Sequence, residues 1–172
     1  MPQPREHPRG GFTLIEVMMT ITILVLVSVL VLPKFGNDAR SRLMAATGIL
    51  SSDIELAQVM TLSNPGSPIV LYFNPATSMY RLAHRATPNT AILRAGTTEP
   101  YEVFFGRGRA VGAEGVTIAL TDLPGSTLSF NEVGGILDPT TNPVITLNLR
   151  GQWSQLTIAP TTGLITGTSG GS

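Results

Sequence analysis

One carboxylate and one peptide bond near the start of the chain are the first features that could support chemistry. Glu16 is the only charged residue in an apolar run over 12–32, where a carboxylate costs roughly 2.5–3.5 kcal/mol on membrane-insertion scales. Cleavage between Gly11 and Phe12 would create a charged amine at Phe12. In staggered neighbouring helices that amine could pair with Glu16, because an apolar environment makes each unpaired charge costly. We therefore predict that Phe12 and Glu16 direct assembly.

The apolar run has the length of a membrane-spanning helix. Its 21 residues would extend about 30 Å, the thickness of the hydrocarbon core of a bilayer. A secretory signal peptide differs, because its apolar core is about 7–15 residues long and ends at an A-x-A site. Residues 1–11 carry two arginines against one glutamate, which favours their retention in the cytoplasm. The sequence predicts that residues 1–11 stay in the cytoplasm and that residues 12–32 form a single-pass transmembrane helix.

The start of this run resembles the processing site of type IV prepilins and type II secretion pseudopilins. The matching stretch is Gly11-Phe12-Thr13-Leu14-Ile15-Glu16-Val17. The resemblance implies that an inner-membrane prepilin peptidase cuts after Gly11 and methylates the new amino group of Phe12. Residues 1–11 would then be a cleaved prepilin leader, and residues 12–32 a transmembrane and assembly helix. It also implies a subunit that lies in bacterial inner-membrane lipid, with its C-terminal domain in the periplasm, and then joins other pilins or pseudopilins in a fibre. Pro33 lies where many family members carry a helix-kinking proline.

The helical pattern continues beyond the apolar run. Apolar residues recur at steps of three and four and form one stripe: Leu43, Ala46, Leu50, Ile54, Ala57 and Met60. Polar positions surround the stripe, Asp53 among them. The pattern predicts an amphipathic continuation of the helix over 33–63, kinked near Pro33 and stopped by Asn64-Pro65-Gly66.

After residue 64 the pattern changes to short alternating strands separated by turn residues. The candidate strands cover 69–73, 79–82, 91–94, 102–105, 116–120, 127–130, 144–149, 155–158 and 164–166. The candidate strands do not alternate with helices, so the pattern does not predict a parallel sheet. The predicted fold class is therefore α+β: a long N-terminal helix, with a membrane half and an amphipathic half, packed on a periplasmic antiparallel β-domain over 64–172, as in pilins.

The C-terminal third is similar to the closing strands of the GspH/FimT family of minor pseudopilins and minor pilins. The similarity lies in a phenylalanine strand that meets a glycine turn, over 128–135, and in a last hairpin with Gly163 before its final strand. It implies a minor pseudopilin, a structural subunit of a type II secretion pseudopilus. The alternative is a minor type IV pilin that serves adhesion, motility or DNA uptake.

Composition gives no support for an enzyme or a cofactor protein. The 172 residues contain no cysteine and only two histidines, and the formal net charge is zero. None of the common nucleophile, phosphate-loop or zinc-protease motifs is present. Three acidic residues that could bind calcium, Asp122, Glu132 and Asp138, do not have EF-hand spacing. The sequence predicts no catalytic residue, no metal and no cofactor.

An arginine-containing turn offers one further hypothesis. Gly106-Arg107-Gly108-Arg109 follows two phenylalanines, and arginines on a flexible loop can bind phosphates. Some DNA-uptake minor pilins of the FimT type bind DNA through a Gly-Arg-x-Arg element near the C-terminus, whereas this one lies mid-domain. Nucleic-acid binding through Arg107 and Arg109 is the lesser alternative, and a solvated loop is the default.

Overall fold

The computed structural model describes residues 12–31 and 38–171. The chain divides into two compact units, Met1–Gly36 and Asn37–Ser172. The predicted leader over 1–11 with Gly11, and the predicted kink at Pro33, lie outside the described residues. The continuity of one helix from the apolar run into the amphipathic part lies there too.

The described part of the first unit is helix α1, Leu14–Val31. Thr13 caps it, because the Glu16 backbone N–H lies 3.3 Å from Thr13 Oγ1, in the Thr-x-x-Glu spacing of a capping box. Thr20 and Thr22 donate their hydroxyls to carbonyls one turn back, at 2.7 and 2.8 Å. Those hydroxyls are satisfied by the backbone, which leaves Glu16 as the charged side chain among residues 12–26, and the side chains over 12–26 are exposed.

A membrane span was predicted over 12–32. Among the helices that the structure describes, none is both long enough and apolar enough to cross a bilayer.

Helix α2, Asp38–Ser63, begins the second unit and has one buried face. The predicted apolar stripe is confirmed: its members from Leu43 to Ala57 are buried, and Met60 packs at the margin of the core. Asp53 departs from its predicted polar position, since it belongs to the buried face and is 2% exposed. The helix ends at Ser63, immediately before the Asn-Pro-Gly sequence.

The rest of the unit forms two four-stranded antiparallel sheets. The strands are β1 Ile69–Asn74, β2 Met79–His84, β3 Glu102–Phe104, β4 Thr117–Thr121, β5 Thr127–Ser129, β6 Val144–Leu149, β7 Gln152–Ile158 and β8 Ile165–Gly171. The first sheet has the order β3-β2-β1-β5 and the second the order β4-β6-β7-β8. The predicted α+β class with a helix on antiparallel strands is therefore confirmed for this unit.

Three strand predictions were inaccurate. Residues 91–94 contribute only isolated bridges, from Ala91 to Ala83 and from Leu93 to Pro100. β7 begins three residues earlier than predicted, and β8 extends to Gly171. β8 consists largely of glycine, serine and threonine, so no apolar alternation marked it. Its backbone pairs with β7 along its whole length, and such pairing requires no apolar side chain.

The core lies where α2 packs on the two sheets. The buried residues of β6 and β7 alternate as half-buried strands do: Ile145, Leu147, Leu149, Ser154, Leu156 and Ile158. Near the end of α2, Gln58 donates its amide to the Gly134 carbonyl at 2.6 Å and the Thr162 carbonyl at 3.3 Å. A Cβ at Gly163 would lie 2.1 Å from the Gly134 oxygen. The glycine turn and the glycine of the last hairpin, predicted separately, therefore meet at Gln58.

Candidate functional site

Phe12 and Glu16 lie at the start of α1. The Phe12 side chain is 83% exposed, and Glu16 lies in the first turn of the helix, also exposed. An acidic residue in the first turn is favourable because it faces the positive end of the helix dipole. Within the described residues of this unit, no ion pair engages the Glu16 carboxylate.

The two arginines of the predicted arginine loop have different environments. Arg107 is exposed on the turn, before a short 3₁₀ segment over Gly108–Ala113. The Arg109 guanidinium instead donates from Nη2 to Asp53 Oδ1 at 2.6 Å and from Nη1 to the Tyr101 hydroxyl at 2.9 Å. The structure therefore does not present Arg107 and Arg109 as one free cationic pair.

Asp53 is the centre of a buried polar cluster that sequence reasoning missed. Its Oδ2 accepts the Tyr80 hydroxyl at 2.6 Å, and its Oδ1 accepts the Tyr101 hydroxyl at 2.8 Å as well as Arg109. The four residues come from α2, β2, the loop before β3 and the loop after β3. A buried carboxylate is tolerated only when it is paired and hydrogen-bonded. Its position on the apolar stripe, between Leu50 and Ile54, was the available sequence signal.

Other arginines of this region also have internal partners. Tyr101 lies between two guanidinium groups, with Arg94 5.2 Å and Arg109 5.5 Å from its ring centroid. Arg81 lies 5.0 Å from the ring centroid of Tyr72 and 3.9 Å from a Glu102 carboxylate oxygen. Arg81, Arg94 and Arg109 thus serve largely to hold the loops of the first sheet together.

The cluster changes the acidity of its members. Burial, and then the negative charge of Asp53 and its hydrogen bond, raises the pKa of the Tyr80 hydroxyl far above its usual range. Burial and the hydrogen bond to Asp53 also raise the pKa of Tyr101. Partial burial alone would lower the pKa of Arg109, but the hydrogen bond and the charge of Asp53 outweigh it and raise that pKa.

Alkaline conditions should destabilise the protein through Tyr80. A pKa that is higher in the folded than in the unfolded chain gives stability that is complete below about pH 10 and falls as the pH rises further. We expect the free energy of unfolding to fall by about 1.4 kcal/mol per pH unit above pH 10 from Tyr80 alone. Urea unfolding between pH 8 and 11, followed by the fluorescence of the single tryptophan, Trp153, measures this slope. The slope should be shallower in Tyr80→Phe, and equal slopes in the two proteins would contradict the assignment.

Comparison with protein families bears on the N-terminal site. The profile of the prokaryotic N-terminal methylation motif matches residues 7–32. The chain has a type IV prepilin-like N-terminus. The matched segment contains both residues of the predicted cleavage position and Glu16. No curated protein and no solved structure shows significant similarity to the chain, so membership of the GspH/FimT family stays a prediction.

The methylation motif indicates a type IV pilin-like precursor that is anchored in the inner membrane and assembled with other pilins after processing by a prepilin peptidase. It indicates a structural protein rather than an enzyme.

One polar pair resembles part of a catalytic site: Ser67 Oγ lies 3.0 Å from His84 Nδ1 on the surface. Over residues 38–171 no carboxylate accepts a hydrogen bond from that imidazole, so the third, orienting group of a serine–histidine–acid arrangement is not seen there.

The three acidic residues weighed as calcium ligands are occupied or exposed. The Asp122 carboxylate accepts the backbone N–H of Asn142. Asp138 accepts the backbone N–H of Thr140 at 3.0 Å and its hydroxyl at 2.6 Å, and these bonds lower the pKa of Asp138. Glu132 lies exposed in the turn after β5. In the part of the chain that the structure describes, no group of three histidine, cysteine or acidic side chains is placed to hold a metal.

Proposed function

We propose that the protein is a minor pseudopilin, a structural subunit of a type II secretion pseudopilus. The observation that carries the proposal is the methylation motif over 7–32, because it joins a cleavage position to an apolar helix with one acidic residue. The exposed, apolar surface of α1 supports it, since contiguous apolar surface of this size requires a lipid or protein neighbour. Helix α2 packed on antiparallel sheets is compatible with a pilin-like domain.

Assembly proceeds in three steps in this proposal. The chain lies in the bacterial inner membrane as a single-pass protein, with residues 1–11 in the cytoplasm and the β-domain in the periplasm. Prepilin peptidase cuts between Gly11 and Phe12 and methylates the new amino group of Phe12. The amine then pairs with Glu16 of a neighbouring subunit, which favours one register of the helices in the fibre.

The alternative within the same architecture is a minor type IV pilin. Coexpression with a set of secretion pseudopilins, and separately with a set of type IV pilins, distinguishes the two. Incorporation into sheared secretion fibres but not into pili supports the pseudopilin. The structure gives no support to a pilin that binds DNA through Arg107 and Arg109, because the Arg109 guanidinium is paired with Asp53. Salt-sensitive DNA binding that is lost in Arg107→Gln would favour that version nevertheless.

Processing tests the proposal directly. Coexpression with a prepilin peptidase should produce a chain that starts at Phe12 and carries one additional methyl group, as read by intact mass and N-terminal peptide mapping. Replacement of Gly11 by valine should reduce processing at least tenfold, because the peptidase must accept the residue before the cut. Gly10→Val is the matched control, and it should mature more efficiently than Gly11→Val. Normal maturation of Gly11→Val would refute the proposed cleavage position.

A further inference from the structure

β8 forms a free edge of the second sheet. It pairs with β7 over seven residues, Ile165–Gly171, and within the described residues no other strand adjoins it. Natural edge strands avoid further pairing when they are short or carry charges or proline. The two edges of the first sheet, β3 and β5, have three residues each. β8 is more than twice as long and contains neither a charge nor a proline, so its outward N–H and C=O groups form a long, unprotected row.

A groove separates β8 from the flank of helix α2. In the second sheet α2 packs mainly on β6 and β7, and the hydroxyls of Thr47 and Ser154 lie 2.9 Å apart. β8 extends beyond the helix. Directly paired residues share a face of a sheet, so the residues of β8 that face the helix are the small partners of Ser154 and its neighbours: Gly167, Ser169 and Gly171. The groove between them and the helix has a volume of about 610 Å³.

The helix side of the groove contains an exposed glycine in a helix interior. Gly48 lies in the middle of α2, where glycine costs about 1 kcal/mol relative to alanine. A Cβ at Gly48 would meet no described atom within 4 Å, so packing within the described residues does not require glycine there. Met44, one turn earlier, is 60% exposed and lines the same groove. Glycine and exposed methionine are typical of surfaces that another chain approaches closely.

The groove has a positively charged end. Gln58, near the end of α2, contacts the Thr162 carbonyl in the turn before β8, so the start of α2, with Arg40, lies at the Gly171 end of the strand. Arg40 is exposed and is the charged residue among those that line the groove. Around the start of α2, three arginines stand against two acids: Arg40, Arg42, Arg150, Asp38 and Glu114. This charge favours an occupant that places an anionic group at that end.

We propose that β8 and the groove bind an extended segment of a partner protein as a fifth, antiparallel strand, with large apolar side chains at alternate positions and a carboxylate near its N-terminal end. An antiparallel strand starts opposite Gly171, which places that carboxylate beside Arg40. Its apolar side chains cover the small residues of β8, as large residues do beside edge glycines, and they reach Met44. In such strand addition, backbone hydrogen bonds supply affinity and the side-chain pockets supply specificity.

A second copy of this chain fits the groove poorly. Pairing of two β8 strands would bring glycine and serine to the groove again and leave it unfilled. β4, the opposite edge of the same sheet, already buries Ile118 in its own core. The proposal is independent of the fibre role, because the edge and the groove lie within the second unit, so failure of prepilin processing would leave it intact.

Fluorescence anisotropy with a labelled peptide tests the site in the full chain in detergent. The probe is Asp-Thr-Leu-Thr-Phe-Thr-Leu, whose carboxylate and apolar side chains lie on one face of an extended strand. We expect saturable binding below about 1 mM. Because alternate residues of an antiparallel strand direct their N–H groups to opposite edges, backbone N-methylation of the threonines and of the apolar residues should differ: one set should weaken binding at least tenfold and the other should not. Equal effects of both sets, or no saturable binding, would overturn the proposal.

Substitutions on α2 test the groove and its charge. Gly48→Leu should fold, since the space beside Gly48 is open and leucine favours helices, but its side chain should fill the groove and weaken binding at least tenfold. Ser52→Leu, at an exposed position one turn further along α2, is the matched control and should bind as the parent chain does. Arg40→Gln should weaken binding two- to fivefold, about the contribution of an exposed ion pair, and should not affect a probe with asparagine in place of aspartate.

Circular dichroism of each variant confirms that the domain is folded. Equal peptide binding by folded Gly48→Leu and by the parent chain would overturn the assignment of the groove. Sedimentation of the full chain in detergent addresses the other occupant: dimers that form through β8 in a chain that does not bind the probe would assign this edge to a second copy instead.

Discussion

Replacement of Asp53 by alanine should lower the free energy of unfolding by about 2–4 kcal/mol, because it leaves the buried Tyr80 hydroxyl and two partly buried groups without their acceptor. Three groups lose their acceptor in this variant: the Tyr80 hydroxyl, the Tyr101 hydroxyl and the Arg109 guanidinium. Urea unfolding of the full chain in detergent, followed by Trp153 fluorescence, measures the change. Glu55→Ala is the matched control, since Glu55 is an exposed acid two residues further along the same helix, and we expect it to change stability by less than about 0.5 kcal/mol.

A double-mutant cycle separates the ion pair from the rest of the cluster. We expect Arg109→Ala to destabilise the chain less than Asp53→Ala does, because about a third of the Arg109 side chain already contacts solvent. In the double variant the two losses should overlap, with a coupling free energy of about 1–3 kcal/mol. Strictly additive losses would mean that Asp53 acts through the tyrosines alone.

Loss of the Glu16 charge should abolish assembly while the chain still enters the membrane. In Glu16→Ala and in Glu16→Gln we expect at least a tenfold smaller share of the subunit in sheared fibres than in the membrane fraction. The physical reason is the unpaired Phe12 amine, which is costly in an apolar helix bundle. Immunoblots of the two fractions, with processing checked by mass spectrometry, measure the effect.

The helix cap requires a control, because Glu16 also has the position of the glutamate in the Thr-x-x-Glu spacing of a capping box. Glutamine is acceptable at that position of a capping box, so Glu16→Gln removes the charge and keeps a capping side chain. Thr13→Ala instead removes the hydroxyl that lies 3.3 Å from the Glu16 N–H and leaves the carboxylate. If Thr13→Ala impairs assembly and Glu16→Gln does not, the role of Glu16 is helix capping and the pairing scheme is wrong.

Sequence periodicity was sufficient for the amphipathic helix and for most strands. The stripe from Leu43 to Ala57 repeats at the helical period, and apolar burial drives one such face onto a sheet whatever the details of that sheet are. The strands β1, β2 and β6 were recognisable because they combine β-branched or aromatic residues with turn residues at their ends. The segment over 91–94 has the same composition but forms only bridges, since composition does not specify a pairing partner.

The resemblance at the N-terminus is of a different kind, because it rests on local chemistry. A peptidase recognises the residues around the cleaved bond, and insertion into a membrane depends on the length and polarity of one continuous segment. Gly11, Phe12 and Glu16 could therefore be proposed from their order alone, and the methylation profile matches that same segment. No long-range contact is needed for that part of the inference.

What the sequence by itself determined is thus the prepilin-like N-terminus, the amphipathic helix and the α+β class, all of which depend on neighbours in the chain. Only the tertiary structure decided the partners of the arginines. Asp53 and Arg109 are 56 positions apart, and many carboxylates could have served each arginine before the chain folded. Burial selects one pairing, because a charge removed from water must find its partner within a few ångströms. That selection gives the two arginines different environments: Arg107 stays exposed on its turn, and Arg109 is held by Asp53.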